Sequence, residues 1–245
     1  VPFRPPTLKA PTSDQLALSG FVAALLELSL AALLLFALVD RIAPPQDLPW
    51  KPFSLNQPIG LATGGKLAVI ARDPALCRAA LAQGGAAFTE APARVSGFCT
   101  TADSIRLTST RLSPAAPVMR CDLALTYEVW ARHVAAPDAR RTLGARLTRI
   151  DHYGTYACRN IYGRPDARPS QHASARALDV AAFRLSDGRT VSVLKDFNAD
   201  TPEGRFVRQA RDGACGLFGA VLSPDYNAAH ANHLHLDMSP YRLCR

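Results

Sequence analysis

Residues 16–39 read LALSGFVAALLELSLAALLLFALV, with a single charge at Glu27 and no proline. Nothing else in the chain restricts its folding so strongly. About twenty such residues in a helix span a hydrocarbon core of roughly 30 Å. The run is apolar on all sides, which argues against an amphipathic helix on a soluble surface. Glu27 near its middle costs on the order of 2–3 kcal/mol, which the leucine-rich neighbours offset. A cleaved signal peptide is the rival reading. It would be shorter and end in a small-x-small site, whereas this run ends Phe-Ala-Leu-Val-Asp-Arg. The expectation is an uncleaved transmembrane anchor over 16–39. Arg4 and Lys9 then place a tail, residues 1–15, in the cytoplasm, and the rest of the chain on the far side.

After the anchor come Pro44, Pro45, Pro49, Pro52 and Pro58. This density predicts an extended tether over 40–67, with the folded domain at 68–245. Hydrophobic residues make up 48% of the chain, ample for a core. The net charge of +8 suits an acidic polymer such as cell wall, or anionic lipid. The arginines are dispersed rather than run together, so no nucleic-acid partner is expected. Six cysteines, at 77, 99, 121, 158, 215 and 244, form no C-x-x-C pair. An even, scattered set predicts three disulfides in an oxidising compartment, consistent with the far side of a membrane. Which of the fifteen pairings forms stays open.

The remaining pattern predicts an α+β domain: a small antiparallel sheet carrying a metal site, flanked by helices. Helices are expected at 74–81, at 118–134 on the recurrence of Leu123, Tyr127 and Trp130, and from the Thr201-Pro202-Glu203 cap to about Phe218. Strands are expected at 104–110, 145–153 and 233–237. A hairpin joins 177–185 to 190–194 through Ser186-Asp187-Gly188. Residues 160–170 and 222–230 are loop.

Four of the six histidines fall in two short segments. Residues 170–179 read Ser-Gln-His-Ala-Ser-Ala-Arg-Ala-Leu-Asp and hold His172 and Asp179. Residues 230–237 read His-Ala-Asn-His-Leu-His-Leu-Asp and hold His230, His233 and His235. Two imidazoles and a carboxylate give a three-ligand zinc set with one position open. His233 and His235 are two apart on a strand, so both face one way. One can bind metal while the other stands beside a water that zinc acidifies to a pKa of about 7. A His-x-His pair alone is weak evidence; the upstream His-x6-Asp makes the set specific. The isolated His133 and His152 are ordinary helix and loop residues on this reading.

These motifs carry a resemblance. Tyr-Ala-Cys-Arg (156–159), the 170–180 segment, Phe-Arg-Leu-Ser-Asp-Gly-Arg (183–189), residues 222–237 and the closing Cys-Arg resemble the C-terminal domain of bacterial extensin-like proteins. A weaker match runs from Cys77 through Cys121. The same motifs are similar to the zinc peptidases that include D-Ala-D-Ala carboxypeptidases and penicillin-insensitive murein endopeptidase. In that group Ala175 is usually glycine, and His-x-x-His-x-His at 230–235 is closer to the endopeptidase. The resemblance implies zinc held by His172, Asp179 and His235, with His233 and His230 as catalytic histidines. No glutamate stands at the carboxypeptidases' base position, so that role falls to His233 or His230. Arg176, Arg159 and Ser170 are expected substrate contacts, on chemistry and nearness to the motifs. The implied protein is a zinc hydrolase of peptidoglycan peptide bonds, anchored in the bacterial inner membrane with its domain in the periplasm. The alternative is a non-catalytic envelope module of the same fold. A metal nuclease lacks any phosphate-gripping signature.

Overall fold

The computed structural model describes residues 13–108 and 111–245. Arg4 and Lys9 of the expected tail, and the last two residues of the expected strand 104–110, lie outside the described residues. The chain divides after Pro44 into two units.

Among the described residues, the first unit is one helix, α1 (Ser13–Ile42). Its stretch Gly20–Ile42 is long and apolar enough to cross a membrane, and none of it is buried. At 1.5 Å per residue it measures about 34 Å. The Ser29 hydroxyl donates to the Leu25 carbonyl at 2.7 Å, so this polar group is satisfied within the helix.

The second unit begins at Pro45, well before the residue 68 that the proline count implies. The proline-rich stretch is not an extended tether. Proline removes backbone donors, but it does not stop the apolar residues between prolines from packing. Leu48 and Leu55 are buried, and Leu55 covers Gly84 so closely that a Cβ there would lie 2.5 Å from it. Lys66 donates to the Pro45 carbonyl at 2.7 Å, and Arg132 reaches Asn56 at 3.2 Å.

Helices α2 (Thr63–Ile70) and α3 (Pro74–Gln83) follow. Asp73 caps α3 by accepting from the Ala75 and Leu76 amides at 2.8 and 3.2 Å, with Pro74 at the first position. Then come β1 (Phe88–Glu90), β2 (Val95–Ser96), β3 (Cys99–Thr100), β4 (Ser104–Leu107), β5 (Leu112–Ser113) and β6 (Val118–Arg120). The helix expected from Val118 starts at Cys121, because residues 118–120 pair with β4 instead. All ten residues of α4 (Cys121–Trp130) are buried, and its two acids are paired, Asp122 with Arg176 and Glu128 with Arg132. A π-turn at Ala131–Ala135 leads into α5 (Ala136–Leu143).

The site-bearing half contains β7 (Leu147–His152), β8 (Ala177–Leu185), β9 (Thr190–Ser192), α6 (Val193–Asp196), α7 (Pro202–Cys215), β10 (Ala220–Leu222), β11 (Leu234–Asp237) and β12 (Leu243–Cys244). The fold is α+β. Its main sheet is larger than expected and mixed: seven strands, ordered β12-β10-β11-β8-β7-β5, with β9 also on β8. The β5–β7 and β10–β12 pairs are parallel, the others antiparallel. Trp130 packs against Phe183 of β8 and donates to the Ala210 carbonyl of α7 at 2.9 Å, joining helices and sheet. Three disulfides close the unit: Cys77–Cys121, Cys99–Cys158 and Cys215–Cys244.

Candidate metal centre

The pleat of β8 and β11 sorts core from chemistry. Leu178 and Val180 point into the core, as do Leu234 and Leu236. Asp179, His235 and Asp237 therefore project from the opposite face. His235 and Asp179 are direct cross-strand partners. The Asp179 backbone is fixed as well: its amide donates to the Gly154 carbonyl at 3.2 Å, and its carbonyl accepts from Tyr153 at 2.8 Å. Gly154 adopts φ 139°, which a side chain would oppose.

His172 comes from a 3-10 turn, Gln171–Ser174. Ser170 caps the turn, its hydroxyl accepting from the His172 amide at 3.2 Å. The turn ends at Ala175 in the left-handed region, φ 53°. That conformation suits glycine better and costs alanine about 1–2 kcal/mol. His230 ends a second 3-10 turn, Ala228–His230, capped by Asn227. His233 lies just ahead of β11, which starts at Leu234 rather than at the expected residue 233.

The ligand atoms of His172, Asp179 and His235 lie within 4.8 Å of one another. His172 Nε2 is 3.2 Å from Asp179 Oδ2, and His235 Nδ1 is 2.8 Å from Asp179 Oδ1. Donors around a tetrahedral zinc ion stand about 3.3 Å apart. The outer nitrogens matter as much. His172 Nδ1 faces the Thr155 carbonyl at 3.2 Å, and in the neutral tautomer that donates there Nε2 has the lone pair a metal would take. That Nε2 is buried and has no hydrogen bond. His235 Nε2 donates to Asp237 Oδ2 at 3.1 Å. Both imidazoles thus have an acceptor on the far side and a nitrogen aimed at Asp179, the usual support for a metal-binding histidine. The set fits a zinc ion.

His233 Nε2 lies 3.5 Å from Asp179 Oδ1. Its Nδ1 is 2.8 Å from Asn232 Oδ1, and His230 Nδ1 is 2.7 Å from Asn227 Oδ1. Each asparagine oxygen accepts, so each histidine keeps Nε2 free as a base.

Burial alone would raise the Asp179 carboxyl, but the His172 and His235 imidazoles override it and hold it well below the carboxylate range. Burial opposes a charge on His235, yet Asp179 and Asp237 push its pKa up to about 9. His233 is lowered, chiefly by burial and with added repulsion from His235 and His172. His230 is lowered to about 4 by burial and by the charges of His235 and His233. At neutral pH the two outer histidines are therefore unprotonated.

The cluster opens into a cleft of about 220 Å³. His230, His233, His235, Ser170 and Arg159 line it, with Tyr162, Tyr226 and Tyr241 along its sides. Arg176 is the exception among the expected contacts. Its guanidinium is held by buried Asp122 at 2.9 and 3.0 Å and does not line the cleft. It is a structural ion pair rather than a substrate contact.

The family model for the extensin-like protein C-terminus matches residues 75–245. The chain belongs to that family. No curated protein and no solved structure matches it. The extensin-like domain so matched contains all six cysteines and every residue of the His/Asp cluster. Residues 45–74 pack into the same unit but lie ahead of the match.

Sequence reasoning overlooked Asp237 of the extensin-like domain. Its signal was present: His235 and Asp237 are two apart on one strand, so they share a face. Asp237→Asn is expected to weaken zinc binding about 10- to 100-fold while the protein stays folded, as a zinc titration would measure. His235 supplies a pH test. As a ligand it must surrender the proton that its carboxylates hold to about pH 9. Below that pH the metal-free chain should release one proton from His235 per zinc bound, with affinity falling about tenfold per pH unit lowered. Calorimetry in buffers of different ionisation heat counts the proton; a count of zero at pH 7 would contradict a His235 that is both protonated in the metal-free protein and a ligand.

Proposed function

We propose that this chain is a zinc-dependent hydrolase of peptide bonds in peptidoglycan stem peptides or cross-links. One observation carries the reading: two buried imidazoles, each satisfied on its far nitrogen, converge on one carboxylate at the floor of an open cleft. A structural zinc site would be closed by a fourth protein ligand; this one has neutral histidines beside it instead.

His172, Asp179 and His235 would hold the ion. When bound, zinc supplies Lewis acidity, polarising a carbonyl and acidifying a water. His233 is neutral at pH 7, its Nε2 turned toward the Asp179 side. It takes the proton lost by the attacking water and returns it to the leaving amine. His230, oriented by Asn227, holds a second neutral ring 5.2 Å from His233 and supports it in its proton-transfer role.

The address follows from the other unit. Helix α1 would anchor the chain in the bacterial inner membrane, with the domain in the periplasm, where three disulfides persist. The net charge of +8 favours an anionic wall polymer. The test is incubation of zinc-loaded protein with muropeptides, before and after chelation. Cleavage that disappears with the ion supports the reading; binding without cleavage assigns the chain to a non-catalytic envelope module.

A further inference from the structure

The cleft contains a positive charge that the metal chemistry does not use. Arg159 lines it, is exposed, and has no ion-pair partner among the described residues. Of the neighbouring arginines, Arg176 and Arg120 are committed to Asp122 and Arg164 to Asp166, while Arg168 lies over the Tyr241 ring. The carboxylates in the cleft are committed too, Asp179 to histidines and Asp237 to His235 and the Ser239 amide. Nothing in the protein answers the Arg159 charge, which is felt at both His230 and His233.

Its backbone is firmly placed. Cys158 beside it is bonded to Cys99, its own carbonyl accepts from Ser170 at 3.1 Å, and Asn160 bridges Pro169. The guanidinium thus projects from a pinned frame, and a planar fork of donors suits a carboxylate. Around it, Tyr162, Tyr226 and Tyr241 are 51, 40 and 47% exposed. Tyr162 is held by Asn227, which donates to its hydroxyl at 2.8 Å. Half-exposed rings beside an arginine, one of them held by a hydrogen bond, make a strong anchoring surface. The cleft is smaller than the ~300 Å³ of ordinary drug-sized pockets, which favours a small acyl group.

We propose that Arg159 and these tyrosines form a carboxylate subsite, so that the preferred substrate carries a free carboxylate close to the bond that is cut. This rests on the hydrolase reading above. The carboxylate could be a peptide terminus or an acidic side chain.

Binding to the metal-free full chain decides the matter without turnover. The probes are stem-peptide muropeptides with all carboxylates free, with only the terminal carboxylate amidated, with only side-chain carboxylates amidated, and with all amidated. Arg159→Met should weaken binding of the free form about 10- to 100-fold, and Arg159→Lys by less. Amidating the recognised carboxylate alone should cost the parent as much, which identifies its source. The fully amidated form should bind parent and variant alike. Arg159→Met should retain the parent's zinc stoichiometry. Equal binding of the free form by parent and Arg159→Met would overturn the subsite, as would an equal loss on the fully amidated form. Failure of the zinc-loaded parent to cleave any muropeptide would defeat the hydrolase reading instead, while the binding comparison still stands.

Discussion

His172→Ala and Asp179→Ala should each leave the protein without zinc and without hydrolysis of muropeptides. Asp179 has the larger effect because three imidazoles converge on it, at 2.8, 3.2 and 3.5 Å. Losing an outer-shell partner costs about 10- to 100-fold in metal affinity, and losing a ligand costs more than that. In the metal-free protein Asp179→Ala has a second consequence. It removes one of the two carboxylates that hold the His235 charge, and breaking such a buried pair costs about 3–5 kcal/mol. Part of that is relieved when His235 loses its proton. His172→Ala leaves the pairing of His235 with Asp179 and Asp237 in place, so its penalty is smaller. The two variants should therefore agree in zinc content and activity but differ in stability. Elemental analysis and urea midpoints check both. Stoichiometric zinc retained by either variant would show that the ion, if bound, sits elsewhere.

Reduction of the disulfides should unfold the domain. The three bonds join residues 44, 59 and 29 apart in sequence. Loop-closure entropy makes each worth about 4 kcal/mol, against a typical total stability of about 5–15 kcal/mol. The middle bond also touches the site. Cys158 sits between Ala157, whose amide donates to the His172 carbonyl at 3.2 Å, and Arg159 in the cleft. Cys99→Ser with Cys158→Ser should lower the unfolding free energy by about 4 kcal/mol and weaken zinc binding as the His172 turn loosens. The Cys215→Ser, Cys244→Ser pair should destabilise the protein comparably with less effect on zinc. Urea midpoints with and without reductant, alongside zinc titration, separate these outcomes. Unchanged midpoints would mean the cysteines contribute as buried thiols rather than as bonds.

The His/Asp cluster was legible because its encoding is local. Asp179, His235 and their apolar neighbours alternate with period two, so each strand announces its own polar face. What came from distant partners was not legible. Arg176 looks like a substrate arginine from its place in the motif, yet Asp122, 54 residues earlier, claims it. Val118–Arg120 continues a helical pattern but is drawn into pairing with β4, which the pattern cannot register. The two-residue strands β5 and β12 are too short for periodicity, so the parallel pairs that make the sheet mixed left no trace. The prolines after α1 correctly signal irregular backbone. Whether irregular backbone is packed depends on Leu48 and Leu55 finding a surface, and that surface is built by residues far along the chain.

Digestion of purified peptidoglycan by the full chain, with the new termini identified by mass, bears most directly on the central claim. Zinc-loaded protein should release fragments with one new amine and one new carboxylate per cut. The release should stop on chelation, return with zinc, and be absent for Asp179→Ala. A zinc-loaded, folded protein that produces no new termini would contradict the hydrolase reading.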